Sequence, residues 1–304
     1  MTIAPQDFFP QAAEWVASLE NVFPGKQVKP LFAQWEVGHL LSLIVLGGSS
    51  ILLNLRLIGA GVTDEPASEL HRNLKAWMWV GMIGIVLTGL LIGSANAERL
   101  FTSEAFTAKM VGLLAGLVLT IGFTLPATKS DGRVGSVPRI ASVVGLAIFL
   151  ASIALFLQAK LANPGLWHVI SAGALIVLFA ARGVTRIVYL AVMALMIAAQ
   201  QVMTHIVYKA DDYAHLDPVN KAFAWGFVAV ILAAGAVVAV RGGRGQQEGG
   251  VFVKAMAFAS ILVWVMTAAA GRWLAFAYGW NAFPSPFRGG TDRVAVRVGK
   301  YGPE

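Results

Sequence analysis

Eight stretches of the chain are nearly unbroken runs of apolar residues, near 33–55, 76–96, 108–127, 139–160, 165–182, 187–207, 221–240 and 252–278. Short polar or charged connections separate them. A helix needs about 20 apolar residues to cross the hydrocarbon core, and all but the fifth run reach that length. The stretch from Gly165 to Tyr208 is too long for one crossing and breaks at "ARGVTR", where Arg182 and Arg186 flank a glycine and reach the interface. The last run is long enough to tilt or to project from the bilayer. The pattern predicts an all-α fold, a polytopic membrane helical bundle of about eight transmembrane helices.

Outside those runs the pattern changes. Residues 1–30 lack the basic start of a secretory signal and contain "PQAAEWVASLENVF", a short amphipathic stretch expected to lie on the membrane surface. Residues 281–304 are polar and rich in Gly and Pro, which predicts an extended tail. The expected layout is a surface segment over 1–30, a first helical half over 31–127 with spans one to three, a second helical part over 128–280 with spans four to eight, and the tail.

Composition strengthens the membrane reading. Of 304 residues, 57% are hydrophobic and 13% charged, against about 25% charged in soluble domains. There is no cysteine, which excludes disulfides, thiolate metal sites and c-type haem attachment. The net charge of +7 reads as loop lysines and arginines that set orientation, with no nucleic acid implied. The odd-numbered connections carry Arg56, Arg72, Lys75, Lys129, Arg133, Arg139, Arg182, Arg186, Arg241, Arg244 and Lys254; the even-numbered ones carry Arg99, Lys109, Lys160, Lys209 and Lys221. Eleven against five places the odd connections in the cytoplasm. Both termini then face outward, toward the periplasm of a bacterial inner membrane.

Glycines recur at close spacing in "GMIGIVLTGLLIG" and "GLLAG". Small residues so placed serve ordinary helix packing; a flat cofactor against a glycine-lined face is the sharper alternative.

The candidate chemistry lies in the histidines. His71, in "ELHRNLKAW", precedes span two and reads as a solvated loop residue or an interfacial one; His215, in "DDYAHLDP", reads as an outer-loop residue whose neighbours Asp211 and Asp212 make only a weak cation site. His39, His168 and His205 differ. Alternating topology puts all three at the outer ends of spans one, five and six, at similar depth. Ionisable groups within spans face the bundle interior as a rule. Three imidazoles at one level supply ligands for haem iron, copper or zinc, or else hydrogen-bond interfacial carbonyls and headgroups.

Glu36 stands three residues before His39, on the same helical face. That spacing occurs in di-iron bundles, but the other spans offer almost no carboxylates. Glu36 therefore reads either as the partner that orients the imidazole or as a proton-carrying group. Lys109, Arg99 and Arg272 lie at the same level and suit haem propionates, or snorkel to headgroups. Trp35, Trp167, Trp225, Trp273 and Trp280 are concentrated on the outer side, as an interfacial belt would be.

"EVGHLLSLIVLGGSSILLNLRLIG" resembles the opening of an uncharacterised bacterial membrane-protein family with the pattern Glu-x-x-His-Leu-x-x-Leu, then small residues, then Asp-Leu-Arg-Leu-x-Gly. The likeness continues through "LKAWMWVGMIGIVLTGLLI" and "EAFTAKMVGLLAGLV" and covers residues 30–127. It implies that Glu36, His39, Arg56 and Lys109 are the positions of interest and carries no activity. Asn54 stands where the pattern has Asp, which leaves no carboxylate there to pair with Arg56. The wider plan also resembles b-type cytochromes and eight-span copper-resistance membrane proteins.

The expected function is an integral-membrane, b-type cytochrome-like electron-transfer protein. Its haem b, near the outer face, takes two of His39, His168 and His205 as metal ligands, with Glu36, Lys109, Arg99 and Arg272 around it. Its partners are the lipid bilayer, a redox partner protein or quinone, and partner subunits or a second copy. One alternative is a copper-binding or copper-transport protein. It is discouraged because Met203 is on a different helix face from His205, and the Met78/Met82 pair lies at the other end of its span. A further alternative is a cofactor-free membrane scaffold subunit. No span or loop offers a nucleophile with a base and an orienting acid, so a hydrolase is not expected.

Overall fold

The computed structural model describes residues 3–158, 162–207, 217–241 and 250–276; of these, 156–158, 162–166, 217, 218, 220, 221, 241 and 272–276 are described by backbone alone. All eight expected helices form: α1 Phe32–Ile58, α2 Ala67–Ala95, α3 Glu104–Leu119, α4 Ser136–Gln158, α5 Ala162–Ala180, α6 Gly183–Val202, α7 Asp217–Arg241 and α8 Val251–Phe276. Among the described residues, seven are long and apolar enough to cross a membrane, α3 with its continuation to Lys129. In α5 the apolar stretch among the residues described with side chains is Trp167–Ala180. The chain is an all-helical polytopic membrane bundle.

Local signals set the helix ends. Gly59 closes α1 in the left-handed conformation (φ 79°), and its N–H and that of Ala60 reach back to the Arg56 and Leu55 carbonyls. Arg56 is buried, and its Nε donates to the Glu65 carbonyl, tying down the connection that follows. Pro66, extended, precedes α2. In α3 a π-helical turn, Thr120–Thr124, leads into a last turn, Leu125–Lys129. Pro126 lies just beyond it and has no N–H for the Gly122 carbonyl, which a widened turn accommodates.

The core is built by α1, α2, α3, α4 and α8. α1 packs along α2, α3 along α4, and α8 fills the seam between α1 and α3. The first and last helices are thus neighbours, with Leu46, Ala115, Leu119, Val263 and Trp264 in one cluster. α5 adjoins α8, α7 adjoins α5, and α6 lies outermost against α7. α6 buries only Tyr189, whose hydroxyl donates to the Ala174 carbonyl of α5 (3.1 Å).

Glycine sets the tightest approaches. A Cβ on Gly81 would lie 2.6 Å from the Leu46 nitrogen, so α1 and α2 touch backbone to backbone there, and one on Gly84 would collide with Ser42 Oγ. Gly116 receives the Trp264 ring, whose Nε1–H donates to Thr120 in the π turn (3.1 Å). These faces are occupied by neighbouring helices, as ordinary packing requires.

The N-terminal segment folds over one end of the bundle. Short helices Ala13–Ser18 and Gly25–Val28 pack on Ala97–Phe101 and on α2 respectively. Glu20 accepts from the Glu98 N–H and pairs with Lys29 at 2.7 Å. Phe8, Phe9, Trp15, Val22 and Phe23 stay exposed on this segment. We call this end the N-terminal end. The opposite end, with the connections 59–66 and 130–135, is the basic end.

Candidate functional site

The first turns of α1 place Glu36 and His39 near the N-terminal end, both half-buried. His39 turns toward α2. Its Nδ1 is 2.8 Å from Thr88 Oγ1, and Thr88 itself donates to the Gly84 carbonyl at 2.6 Å. A hydroxyl has one proton, already used on Gly84, so the imidazole is the donor: Nδ1–H to Thr88. That leaves the lone pair on Nε2, which has no partner among the described residues. Gly89 makes room for the ring, since a Cβ there would stand 3.3 Å from His39 Cε1.

Glu36 is not the group that orients the imidazole. Thr88, on the neighbouring helix, has that place, and Glu36 makes no hydrogen bond or ion pair among the described residues. The i, i+3 spacing puts Glu36 and His39 on one side of α1, but the ring is drawn across to α2 by an acceptor no farther than one hydrogen bond. Lys109 lies within electrostatic range of the ring. It starts on α3, is half-buried, and lays its stem against Gly271 of α8, with Cε 3.2 Å from where a Cβ would stand.

The three outer histidines are not gathered. His168 is exposed, on the same stripe of α5 as Ser171, Leu175 and Phe179, while Val169, Ile170, Ile176 and Val177 face inward. His205 is exposed in the π-helical turn Met203–Val207 that follows α6. α8 stands between α1 and α5, and α7 between α5 and α6 for most of their packing. A common level fixes height along a bundle and leaves the angle around it open. Among the described residues no three His, Asp or Glu side chains gather to hold a metal ion. The described residues therefore offer no three-ligand copper site. Met78 and Met82 are buried in apolar packing. Arg99 is exposed on the short helix Ala97–Phe101. Arg272 belongs to α8, but its side chain lies outside the described residues, as do His215, Asp211, Asp212, Trp280 and the tail from 281.

His71 is where sequence reasoning missed. It is not a loop residue: α2 begins at Ala67, well before the apolar run, and carries His71 on its second turn. Its Nδ1 is 3.0 Å from Thr128 Oγ1, which donates to the Thr124 carbonyl at 2.6 Å. The same count of protons makes His71 the donor here too. The signal available was the spacing of threonines in α3: Thr120, Thr124 and Thr128 recur every fourth residue on one face, all fully buried. Thr124 also bonds Asn54 of α1, whose Nδ2 donates to Thr124 Oγ1 (3.2 Å) and to the Ser50 carbonyl (2.8 Å).

No curated protein and no solved structure matches the chain. A family model matches residues 13–171, more than half of the sequence, and spans α1 to α4 with both histidine–threonine pairs. The chain belongs to this family, described as a family of unknown function (DUF6644).

Proposed function

We propose that the chain is an integral-membrane scaffold subunit in which His39 serves as an interhelical tie. The observation that carries this reading is the relay from His39 through Thr88 to the Gly84 carbonyl, set in a glycine-notched face of α2. An imidazole so placed joins two helices where hydrocarbon offers no other partner. Other interior polar groups are bonded across to a neighbouring helix or within their own: Asn54 on Thr124 and Ser50, Trp264 on Thr120, Ser152 on the Ala108 carbonyl, Thr267 on the Val263 carbonyl; the buried Thr107 hydroxyl has no hydrogen-bond partner among the described residues. The excess of basic residues supports an orientation in the bacterial inner membrane with the basic end in the cytoplasm. Reporter fusions in the 130–135 connection then report as cytoplasmic.

A second reading rests on a different observation. His39 donates its Nδ1–H and keeps the Nε2 lone pair, which is the arrangement of a metal-ligating imidazole, and the Lys109 ammonium is near. In that reading one haem sits at the N-terminal end with His39 as its single histidine ligand, and the protein passes electrons to a redox partner or quinone.

One experiment separates them. The protein is purified in mild detergent, and its visible spectrum, oxidised and dithionite-reduced, and its metal content are measured beside those of His39→Ala and Thr88→Val. The scaffold reading expects no Soret band, no stoichiometric metal and a lower Tm in both variants. A Soret band in the native protein that is lost in His39→Ala overturns it and establishes the haem reading.

A further inference from the structure

At the basic end, α2 and the last turn of α3 border an open cavity of about 440 Å³ whose lining includes His71, Lys75, Trp79, Leu125 and Lys129. The lining divides by chemistry. Arg72, Lys75 and Lys129 bring positive charge, and His71 sits between the two lysines, close enough for both ammoniums to act on its ring. Leu125, Pro126 and the Trp79 ring form the apolar side. Trp79 is one turn beyond Lys75 on α2 and exposed, with Val80 and Ile83 exposed farther along the helix. The cavity thus has a cationic mouth where the polar connections begin and an apolar wall that runs toward the hydrocarbon.

Acidic groups only partly offset the charge. Arg72 Nη2 pairs with Glu69 at 2.9 Å, and Asp131 Oδ1 accepts from the Ser68 N–H at 2.8 Å. Lys75 and Lys129 have no hydrogen-bond or ion-pair partner among the described residues. His71 donates Nδ1–H to Thr128, so its Nε2 presents a lone pair, which can accept a headgroup hydroxyl but does not contact the phosphate oxygens. Two unpaired ammoniums at the mouth and an indole on the apolar wall make a place for a compact anion that carries a greasy tail.

We infer that this cavity binds a phosphate group presented by an anionic phospholipid, with Lys75 and Lys129 as the principal contacts to the phosphate and Trp79 and Leu125 against the first acyl segment. Basic pockets between transmembrane helices on the positive side are where such headgroups are held. The shared chemistry with free phosphate is the oxyanion; the apolar wall is what favours the lipid.

The test uses the full chain in neutral detergent. Phosphatidylglycerol, phosphatidylcholine and inorganic phosphate are titrated separately at constant ionic strength. Tm is followed, and bound lipid is counted by native mass spectrometry. Phosphatidylglycerol is expected to raise Tm and to bind at one saturable site; phosphatidylcholine and inorganic phosphate are expected to do neither. The Lys75→Gln/Lys129→Gln variant should weaken that binding about thirtyfold, about fivefold for each lysine. Lys75→Arg/Lys129→Arg should restore it, which also shows that the site tolerates substitution. Arg133→Gln/Arg186→Gln removes the same charge from exposed positions of the basic end outside the cavity lining and should leave the binding intact. Equal loss in that control, or no loss in the lysine variant, overturns the site. An equal shift with inorganic phosphate overturns the lipid as its source.

Discussion

His39 and His71 use the same device at opposite ends of α2. Each donates Nδ1–H to a threonine whose own proton is used on a carbonyl four residues back. Their surroundings differ. His39 lies in a glycine-notched seam between two long helices, with one lysine near. His71 opens on a cavity rimmed by three basic side chains. The bond alone therefore does not define a role. At one end it joins helices in a medium that supplies no other partner, and at the other it aims an imidazole at a polar mouth that water can reach.

α2 is the strut common to both ends, so the largest effect comes from breaking it. Gly81→Ala puts a Cβ 2.6 Å from the Leu46 nitrogen, which is backbone and cannot turn aside. The helices must separate, and overpacking of this kind costs about 1–3 kcal/mol. Gly48→Ala is the control, since nothing lies within 4 Å of a Cβ there. Thermal unfolding in detergent is expected to show a clear loss of Tm for the first and none for the second. Equal Tm values would mean that α1 and α2 do not meet as described.

How much of this was legible beforehand depends on the kind of information. All eight helices could be placed from apolar runs, because hydrocarbon length is a strong constraint. The glycines of "GMIGIVLTG" announced a close approach. Arg56 stood out through the Leu-Arg-Leu-x-Gly pattern, and its job is local: it ties the connection after the left-handed cap at Gly59. The acceptors were not legible. A threonine in an apolar helix carries no mark, and Thr88 is 49 residues from the histidine it serves. A common depth was expected for His39, His168 and His205 from alternating topology, but the angle around the bundle comes from which helices pack together. The start of α2 was misplaced because hydropathy marks where a helix turns apolar, and Ala67–Ala76 is helical before that.

The next effect in size compares the two ties directly. Thr88→Val keeps the shape and removes the acceptor, leaving the imidazole N–H without a partner inside the bundle. A loss of about 1 kcal/mol is expected, in the range of interhelical side-chain bonds in membranes. Thr128→Val should cost less, because His71 lines an open cavity through which water can reach its ring. Chemical or thermal unfolding of the two variants in the same detergent checks the order. A larger loss at Thr128 would reverse the assignment of which tie is structural.

The smallest effect is also the most specific. Gly89→Ala does two opposed things. It adds helix propensity, up to about 1 kcal/mol in a soluble helix, and it sets a methyl 3.3 Å from His39 Cε1, tight enough that the ring must yield by a few tenths of an ångström. In the native background these nearly cancel, so the substitution is expected to change Tm little. With His39→Ala the ring is gone, only the propensity gain remains, and Gly89→Ala becomes stabilising. The double-mutant cycle should therefore give a coupling of about 0.5–1 kcal/mol between residues in contact. Of the two histidines, only the His39 ring approaches a glycine of α2 this closely. Gly89→Ala should accordingly show no coupling to His71→Ala, and a coupling of equal size at both histidines would mean that the glycine acts on α2 as a whole and not through the His39 ring.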